Sequence, residues 1–413
     1  MRSYVIIGNS AAAVGCIEGI RSIDRDGLIT VVSSEPYHTY SRPLISYLLC
    51  GKTDEQRMKY RPDSFYHDNR VRLIAGVAAR SVDAAEKRVK LESGETLAYD
   101  ELMLATGSSP FVPPIAGLDS VERKFTFLSL GDAKALDAAL AAKPEARVLI
   151  MGAGLIGLKC AEGIAKKAGR ITVVDMADHI LPSILDAEAA QMVQEHIEKE
   201  GIEFVLSDSV ASFSPGQAAL ASGRTLEFDI LVIAVGVRPN THLAEKAGAQ
   251  AARGIVTDLA CRTTAPHIWA AGDCAQSQDA VSGQNRVLAL LPNAYMQGEC
   301  AGRNMGGGEA VYDSAIAMNA IGFFGLHIIT AGSYDGEAQV RKTEKTYKKL
   351  VTRDNHLAGY IMIGDVARAG IYTSLVRERV DLDTIDFERI SEKPQLMAFS
   401  RQRREEMLGG VAR

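Results

Sequence analysis

RVLIMGAGLIGLKCAEGIAKKAGRITVVD, residues 147–175, decides the fold. Arg147 to Met151 form the short, mostly apolar run of a buried parallel strand. Gly152-Ala153-Gly154-Leu155-Ile156-Gly157 follows as a complete G-x-G-x-x-G and opens a helix expected to run through about Lys167. The first glycine makes the turn, the second lets backbone approach a pyrophosphate, and the third lets helix pack close on strand. The next strand, RITVVD, ends at Asp175, near the roughly 20-residue offset at which an acid meets an adenosine ribose. Asp175 favours a free 2′-hydroxyl because it repels a 2′-phosphate, and Met176, Ala177 and Asp178 bring no cation to neutralise one. The unit therefore reads as a site for NADH rather than NADPH.

The start of the chain repeats the pattern in weaker form. SYVIIG, residues 3–8, is a strand; Gly8-Asn9-Ser10-Ala11-Ala12-Ala13 is the turn; a helix follows through about Arg21. Ser10 and Ala13 stand where the second and third glycines belong, and both are small enough to keep most of the geometry. The next strand, LITVVSSE, ends at Glu35, an acceptor for an adenosine ribose. For this unit alone a bare strand–helix turn is an equal reading. MRSYVIIGNSAAAVG also mimics a secretory leader, but Gly8, Asn9 and Ser10 interrupt its apolar core, and a cytoplasmic protein is expected. Two fingerprints imply two dinucleotides. A flavin with a nicotinamide is the commonest useful pair, because a flavin accepts a hydride and releases electrons singly.

Length and composition suit this reading. A chain of 413 residues spans two to four domains at roughly 100–200 residues each. Hydrophobic residues at 47% and charged residues at 23% are those of a globular protein, and the 37 glycines suit nucleotide-binding turns. A net charge of −5 argues against wholesale binding to nucleic acid or an acidic membrane, and no run reaches the ~18 apolar residues of a membrane span. Cys16, Cys50, Cys160, Cys261, Cys274 and Cys300 show no close pairing, and the eight histidines are dispersed, so no metal site and no internal redox disulfide is expected.

Four later segments carry a resemblance: YDELMLATGSSP (99–110), FDILVIAVGVRPNT (228–241), TTAPHIWAAGDCA (263–275) and LLPNAYMQGECAGRNM (290–305). With both fingerprints, in this order, they resemble the pyridine nucleotide–disulfide oxidoreductase superfamily over nearly the whole chain. The resemblance implies that Gly8, Ser10, Ala13 and Glu35 hold the ADP half of FAD, and that Arg42 and Pro43 lie near its pyrophosphate and flavin. It places Ala105, Thr106 and Gly107 where the chain crosses close to FAD. Gly272 and Asp273 would bind the ribityl or pyrophosphate part, with Pro292 in the helix that follows. Gly152, Gly154, Ile156, Gly157, Asp175 and Gly236 would line the NADH site.

The implied fold is α/β, with two Rossmann-like domains and a C-terminal αβ domain. FAD would be held by about 1–117 and 239–312, NAD by an inserted 118–238, and 313–413 would form the third domain with strands near 337–342, 346–353 and 356–363 and a helix near 367–379. The tail RQRREEMLGGVAR reads as an exposed helix end or a disordered terminus. YSRPLISYLL, MNAIGFFGLHIITAG (318–332) and YKKLVTRDNHLAGYIMIGDVARAGIYTSLVRE (347–378) look like NADH:rubredoxin reductases and the flavoprotein part of nitrite reductase large subunits. Two positions depart from relatives. Dioxygenase-type ferredoxin reductases carry a lysine where Tyr47 stands, and many relatives carry a glutamate near the nicotinamide where Lys159 stands. Lys159 reads either as a change in hydride-site tuning or as a snorkelling lysine.

The implied activity is electron transfer from NADH through FAD to a small acidic electron carrier or an iron–sulfur subunit, in a homo-oligomer or a larger redox complex. Arg341, Lys342, Lys345, Lys348 and Lys349 form either a docking patch for such a carrier or an ordinary solvated hairpin face. Two alternatives remain. SYLLCG (46–51) resembles the thiol segment of NADH oxidases and peroxidases, which would make Cys50 a redox group. Those enzymes also place a histidine in the first glycine turn, where this chain has Ala11, so a small apolar residue closing a helix is the favoured reading of Cys50. The other alternative is a flavin-bearing structural or sensing subunit.

Overall fold

The computed structural model describes residues 1–399 and Arg404; the expectation for the charged tail falls outside the described residues. The described chain separates into two compact units, one of residues 1–277 and 285–312, the other of 278–284 and the described residues from 313 onward.

Two parallel five-stranded sheets dominate the first unit, beside smaller antiparallel ones, and the two large sheets are built the same way. In the first, Ser3–Ile7 is central, with Leu28–Ser33 and then Val71–Ala75 on one side and Glu101–Leu104 and then Ile268–Ala270 on the other. In the second, Arg147–Met151 is central, flanked by Arg170–Val174 and Ile202–Val205 on one side and by Ile230–Ile233 and Lys124–Thr126 on the other. The central strands read as continuous apolar runs because parallel strands bury both faces. Ile6 and Ile150 are fully buried.

Four helices of this unit position the candidate site: α1 (Ala11–Ile23), α2 (Ile45–Leu49), α3 (Leu155–Ile164) and α4 (Leu291–Met305). Helix α1 ends two residues beyond the expected Arg21. Helix α3 ends at Ile164, short of the expected Lys167, although Lys166 and Lys167 are good helix formers. Tertiary packing overrides that propensity. The amides of Lys167 and Ala168 both fold back on the Ile164 carbonyl, and Gly169 is pressed so close to Glu145 that a Cβ would lie 2.5 Å from its carbonyl oxygen.

The second unit holds an antiparallel sheet in the order Met318–Phe323, Leu326–Gly332, His356–Ile363, Tyr347–Arg353, Glu337–Lys342. A helix, Ala369–Glu378, packs its Tyr372, Leu375 and Val376 against Leu350, Tyr360 and Met362 of the sheet. Tyr372 donates to the Ile390 carbonyl at 2.6 Å. The expected strands and helix lie here within two residues of their bounds. No helix among the described residues is long and apolar enough to cross a membrane.

Candidate functional site

At the end of strand Ser3–Ile7, Gly8 has φ +117° and lies so close to the returning chain that a Cβ would sit 2.0 Å from the Ala105 carbonyl oxygen. Ser10 is the N-cap of α1, but its side chain makes no capping bond, so the amides of the first turn keep their affinity for an anion. Ala13 is fully buried. A second helix end comes alongside through a seam of glycines. A Cβ on Gly15 or Gly19 would strike the carbonyls of Tyr295 and Glu299, and one on Gly298 or Gly302 those of Ala12 and Cys16, all within 2.3 Å. Helix α4, with Pro292 in its first turn, is thereby locked backbone to backbone against α1. Gly272 fits between Ala12 and Ala294, its amide donating to Gln297 Oε1 at 2.7 Å. Asp273 therefore enters beside two converging helix N-termini. Burial pushes its carboxyl above the ordinary carboxylate range, and the charge of Arg42 opposes the shift. Its contact with Ser108 Oγ is long, at 3.5 Å.

Arg42 links several of these groups. It pairs with Glu35, donates to the Leu128 carbonyl at 3.2 Å and lies over the Tyr40 ring. Tyr40 donates to Glu35 Oε2 at 2.7 Å and accepts from the Leu130 amide at 2.9 Å. Glu35, expected to face a ribose, thus already carries two internal partners; an ionised carboxylate has lone pairs for more. Pro43 is exposed on the turn Arg42–Leu44. A pocket lined by Ser10, Glu35 and Arg42 also takes in Asn9, Ser33, Tyr37, His38 and Tyr40, which the sequence reading had not singled out. For Tyr37, His38 and Tyr40 the signal was the polar, aromatic run YHTY (37–40), a few residues after the strand end at Ser33. His38 Nε2 and Thr39 Oγ1 beside this pocket are buried and have no hydrogen-bond partner. Buried polar atoms in that condition are costly unless a ligand or water satisfies them. With the helix ends and the glycine turn, they fit the ribose and pyrophosphate of a dinucleotide.

The chain then crosses toward the second sheet. Thr106 Oγ1 donates to the Asn240 carbonyl at 2.7 Å, Asn240 Nδ2 donates to the Thr106 carbonyl at 2.9 Å, and the Asn240 amide reaches the Gly107 carbonyl at 2.9 Å. Ser108–Pro110 and Val237–Pro239 pair antiparallel next to this knot.

At the second cradle, Gly152 has φ +108° and would place a Cβ 2.3 Å from the Ala234 carbonyl oxygen. A Cβ on Gly157 would lie 1.9 Å from the Gly152 carbonyl oxygen, whereas Gly154, the N-cap of α3, and Gly236, at φ +121°, face open space. That contrast fits a ligand: Gly157 serves packing, and Gly154 leaves room for a phosphate. Ile156 is half-buried in the first turn of α3. Asp175 accepts from the amides of Ala153 at 2.6 Å and Ala177 at 2.8 Å, which fixes its carboxylate at the mouth of the cradle.

Tyr47 and Lys159 are in contact: Lys159 Nζ lies 4.6 Å from the Tyr47 ring centroid. Cys50 is the C-cap of α2, and its Sγ bonds weakly to the Tyr47 carbonyl of its own turn at 3.5 Å. All six cysteines are free thiols, and Cys50 is the one not fully buried.

Residues 2–298 match the family described as pyridine nucleotide-disulphide oxidoreductase. The chain belongs to that family. Residues 318–380 match a second family, the rubredoxin NAD+ reductase C-terminal domain. This oxidoreductase is 33% identical to the NADH-dependent phenylglyoxylate dehydrogenase subunit epsilon of Aromatoleum evansii over 392 residues, 92% of each chain. It is 30% identical to nitrite reductase [NAD(P)H] of Bacillus subtilis, and it spans about half of that longer chain, the match covering 92% of this chain and 48% of the other. Among solved structures, putidaredoxin reductase in its covalent complex with putidaredoxin superposes with a TM-score of 0.87 at 21% identity, over 100% of this chain and 99% of the other, which shows a shared fold. The family membership makes the chain an NAD(P)H-dependent flavoprotein oxidoreductase.

Proposed function

We propose that this oxidoreductase takes electrons from NADH and passes them, by way of bound FAD, to a small iron–sulfur or rubredoxin-type protein. The observation that carries the reading is the pairing of two like-built dinucleotide cradles, at Gly8 and at Gly152, with the chain knotted between them at Thr106 and Asn240. FAD would lie along Gly8, Ser10, Glu35, Arg42, Gly272 and Asp273, with the first turns of α1 and α4 facing its phosphates. NADH would lie along Gly154, Gly236 and Asp175. When bound, FAD would supply the chemistry, accepting one hydride and releasing its two electrons singly.

The residues bind, orient and exclude water. Arg42 holds Glu35 and, through Leu128, the start of the inserted segment. Asp273, its carboxyl raised by burial, is a hydrogen-bonding group at the joined helix ends. Asp175 supports NADH over NADPH for the charge reason given by its sequence. The C-terminal match at 318–380 supports a rubredoxin-type acceptor, and the subunit status of the Aromatoleum evansii relative supports a partner subunit in a larger complex.

The purified chain is expected to be yellow, to bleach under NADH without oxygen, and to bleach far more slowly under NADPH. A rubredoxin or a ferredoxin should then reoxidise it. A colourless chain that takes up no FAD ends the proposal, and a flavin that NADH leaves oxidised favours a structural or sensing subunit.

A further inference from the structure

The contact between α2 and α3 joins the segment that carries Arg42 to the helix that opens at Gly154. Gly163 permits it: a Cβ there would lie 3.1 Å from the Ser46 carbonyl oxygen and 3.3 Å from Leu49 Cβ. Next to Gly163, Glu162 is only 7% exposed, and a carboxylate so buried needs cations. Among the described residues two serve it, Lys159 on the same helix and Lys52, whose Nζ is 3.6 Å away. The same two ammonium groups lie over one aromatic ring, Lys159 at 4.6 Å and Lys52 at 5.4 Å from the centroid of Tyr47. Lys159 comes from α3 and Lys52 from the turn after α2, so the cluster spans the seam. The Lys159 side chain is 18% exposed and that of Lys52 53%, so the Lys159 contact is the drier and the stronger of the two.

We propose that Lys159 is a positioning residue for the hydride step: acting through the Tyr47 ring, with Glu162 as shared counter-ion, it locks α2 onto α3 and so fixes the two dinucleotide cradles relative to each other. This role rests on the proposed function. Helix α2 begins directly after the turn of Arg42, which reaches Glu35, and α3 begins at Gly154. A slip of one helix on the other therefore changes the separation of the two nucleotides, and a misplacement of about 1 Å between reacting groups costs on the order of 10²-fold in rate. The Tyr47 ring gives the Lys159 ammonium group a partner across the seam.

The test combines amide hydrogen exchange with anaerobic flavin reduction on the full chain. The amides of Cys50, Gly51 and Lys52, bonded to the carbonyls of Ser46, Leu48 and Tyr47, report on α2. In Lys159→Met their exchange should quicken about tenfold, and the limiting rate of flavin bleaching at saturating NADH should fall about tenfold, with NADH affinity within about twofold of wild type. Lys159→Arg, which keeps a cation over the ring, should restore both. Tyr47→Leu should reproduce the Lys159→Met effects, and the double variant should add little to either. Unchanged exchange in Lys159→Met overturns the lock. Faster exchange with an unchanged limiting rate overturns the positioning role and leaves a structural contact. Simple additivity of the two substitutions also overturns it. A wild-type flavin that NADH does not bleach brings down the proposed function and this role with it, and the exchange data separate that result from failure of the lock alone.

Discussion

Gly154 and Gly157 stand three residues apart in one turn and guard different things. Gly157 has no room for a Cβ, so Gly157→Ala is expected to cost ~1–3 kcal/mol or more as overpacking and to lower the melting temperature. Gly154 has room, so Gly154→Ala should melt close to wild type and keep its flavin, yet weaken NADH binding at least about tenfold because the methyl group occupies the space of the phosphate. Thermal melts and NADH titrations separate the two. Asp175→Ala with Met176→Arg should move the kcat/KM preference toward NADPH by about tenfold or more, by removing a repulsion and adding a cation. Cys50→Ser should leave NADH-driven dye reduction within about twofold, since the thiol's weak hydrogen bond goes to the Tyr47 carbonyl of its own helical turn. The crossing at Thr106 and Gly107 was implied only by the resemblance, whereas the glycine turns at Gly8 and Gly152 were legible in the sequence because backbone geometry dictates residue type there. Tyr40 and His38 were not, because nothing in a local pattern says that Tyr40 will bond Glu35 or that His38 Nε2 will be left without a partner.

Strands and helices hold their places through a few charged pins. Asp229, just before Ile230–Ile233, accepts from Lys143 at 2.6 Å, from Arg147 Nε at 3.0 Å and from the Arg147 amide at 2.9 Å. Hydrogen bonds from Arg147 hold its carboxyl well below the usual carboxylate range. A depressed carboxylate contributes stability that is complete above its unfolded-state pKa of about 3.9 and is lost as pH falls through the lower folded-state value. Asp229→Asn is therefore expected to lower the melting temperature at pH 7, and the gap to wild type should narrow as pH drops below about 4. The seam of α1 and α4 explains why element boundaries were less legible than element identities. Gly15, Gly19, Gly298 and Gly302 weaken helix propensity locally, and only the contact between two segments almost 300 residues apart explains their use. Helix α3 ran short for the same kind of reason, a tertiary contact at Gly169.

Across the whole molecule a net charge of −5 coexists with a basic hairpin in the second unit. Arg341, Lys342 and Lys345 are exposed and Lys349 half-buried, on a hairpin whose outer strand Glu337–Lys342 is exposed along its length. Lys348, grouped with them by sequence, is drawn inward instead: its Nζ donates to the carbonyls of Ser391 and Glu392 at 2.7 Å, and burial lowers its pKa. If an acidic carrier docks on this hairpin, Lys342→Glu with Lys345→Glu should lower kcat/KM for the carrier by about tenfold, more at low salt than at high, and leave dye reduction intact. The repeated sheet design was legible from two fingerprints. The expected splice of the second cradle into the first was legible only as an order of motifs, and one observed pairing fits it. Phe111 donates to the Gly236 carbonyl at 2.9 Å, and Pro110 lies opposite Val237, so everything between leaves and re-enters through one antiparallel doorway. A tight hairpin turn could bridge that doorway. Excising the insert would then ask little of the remaining polypeptide, and the product would be a single-cofactor flavin binder with no address for a nicotinamide.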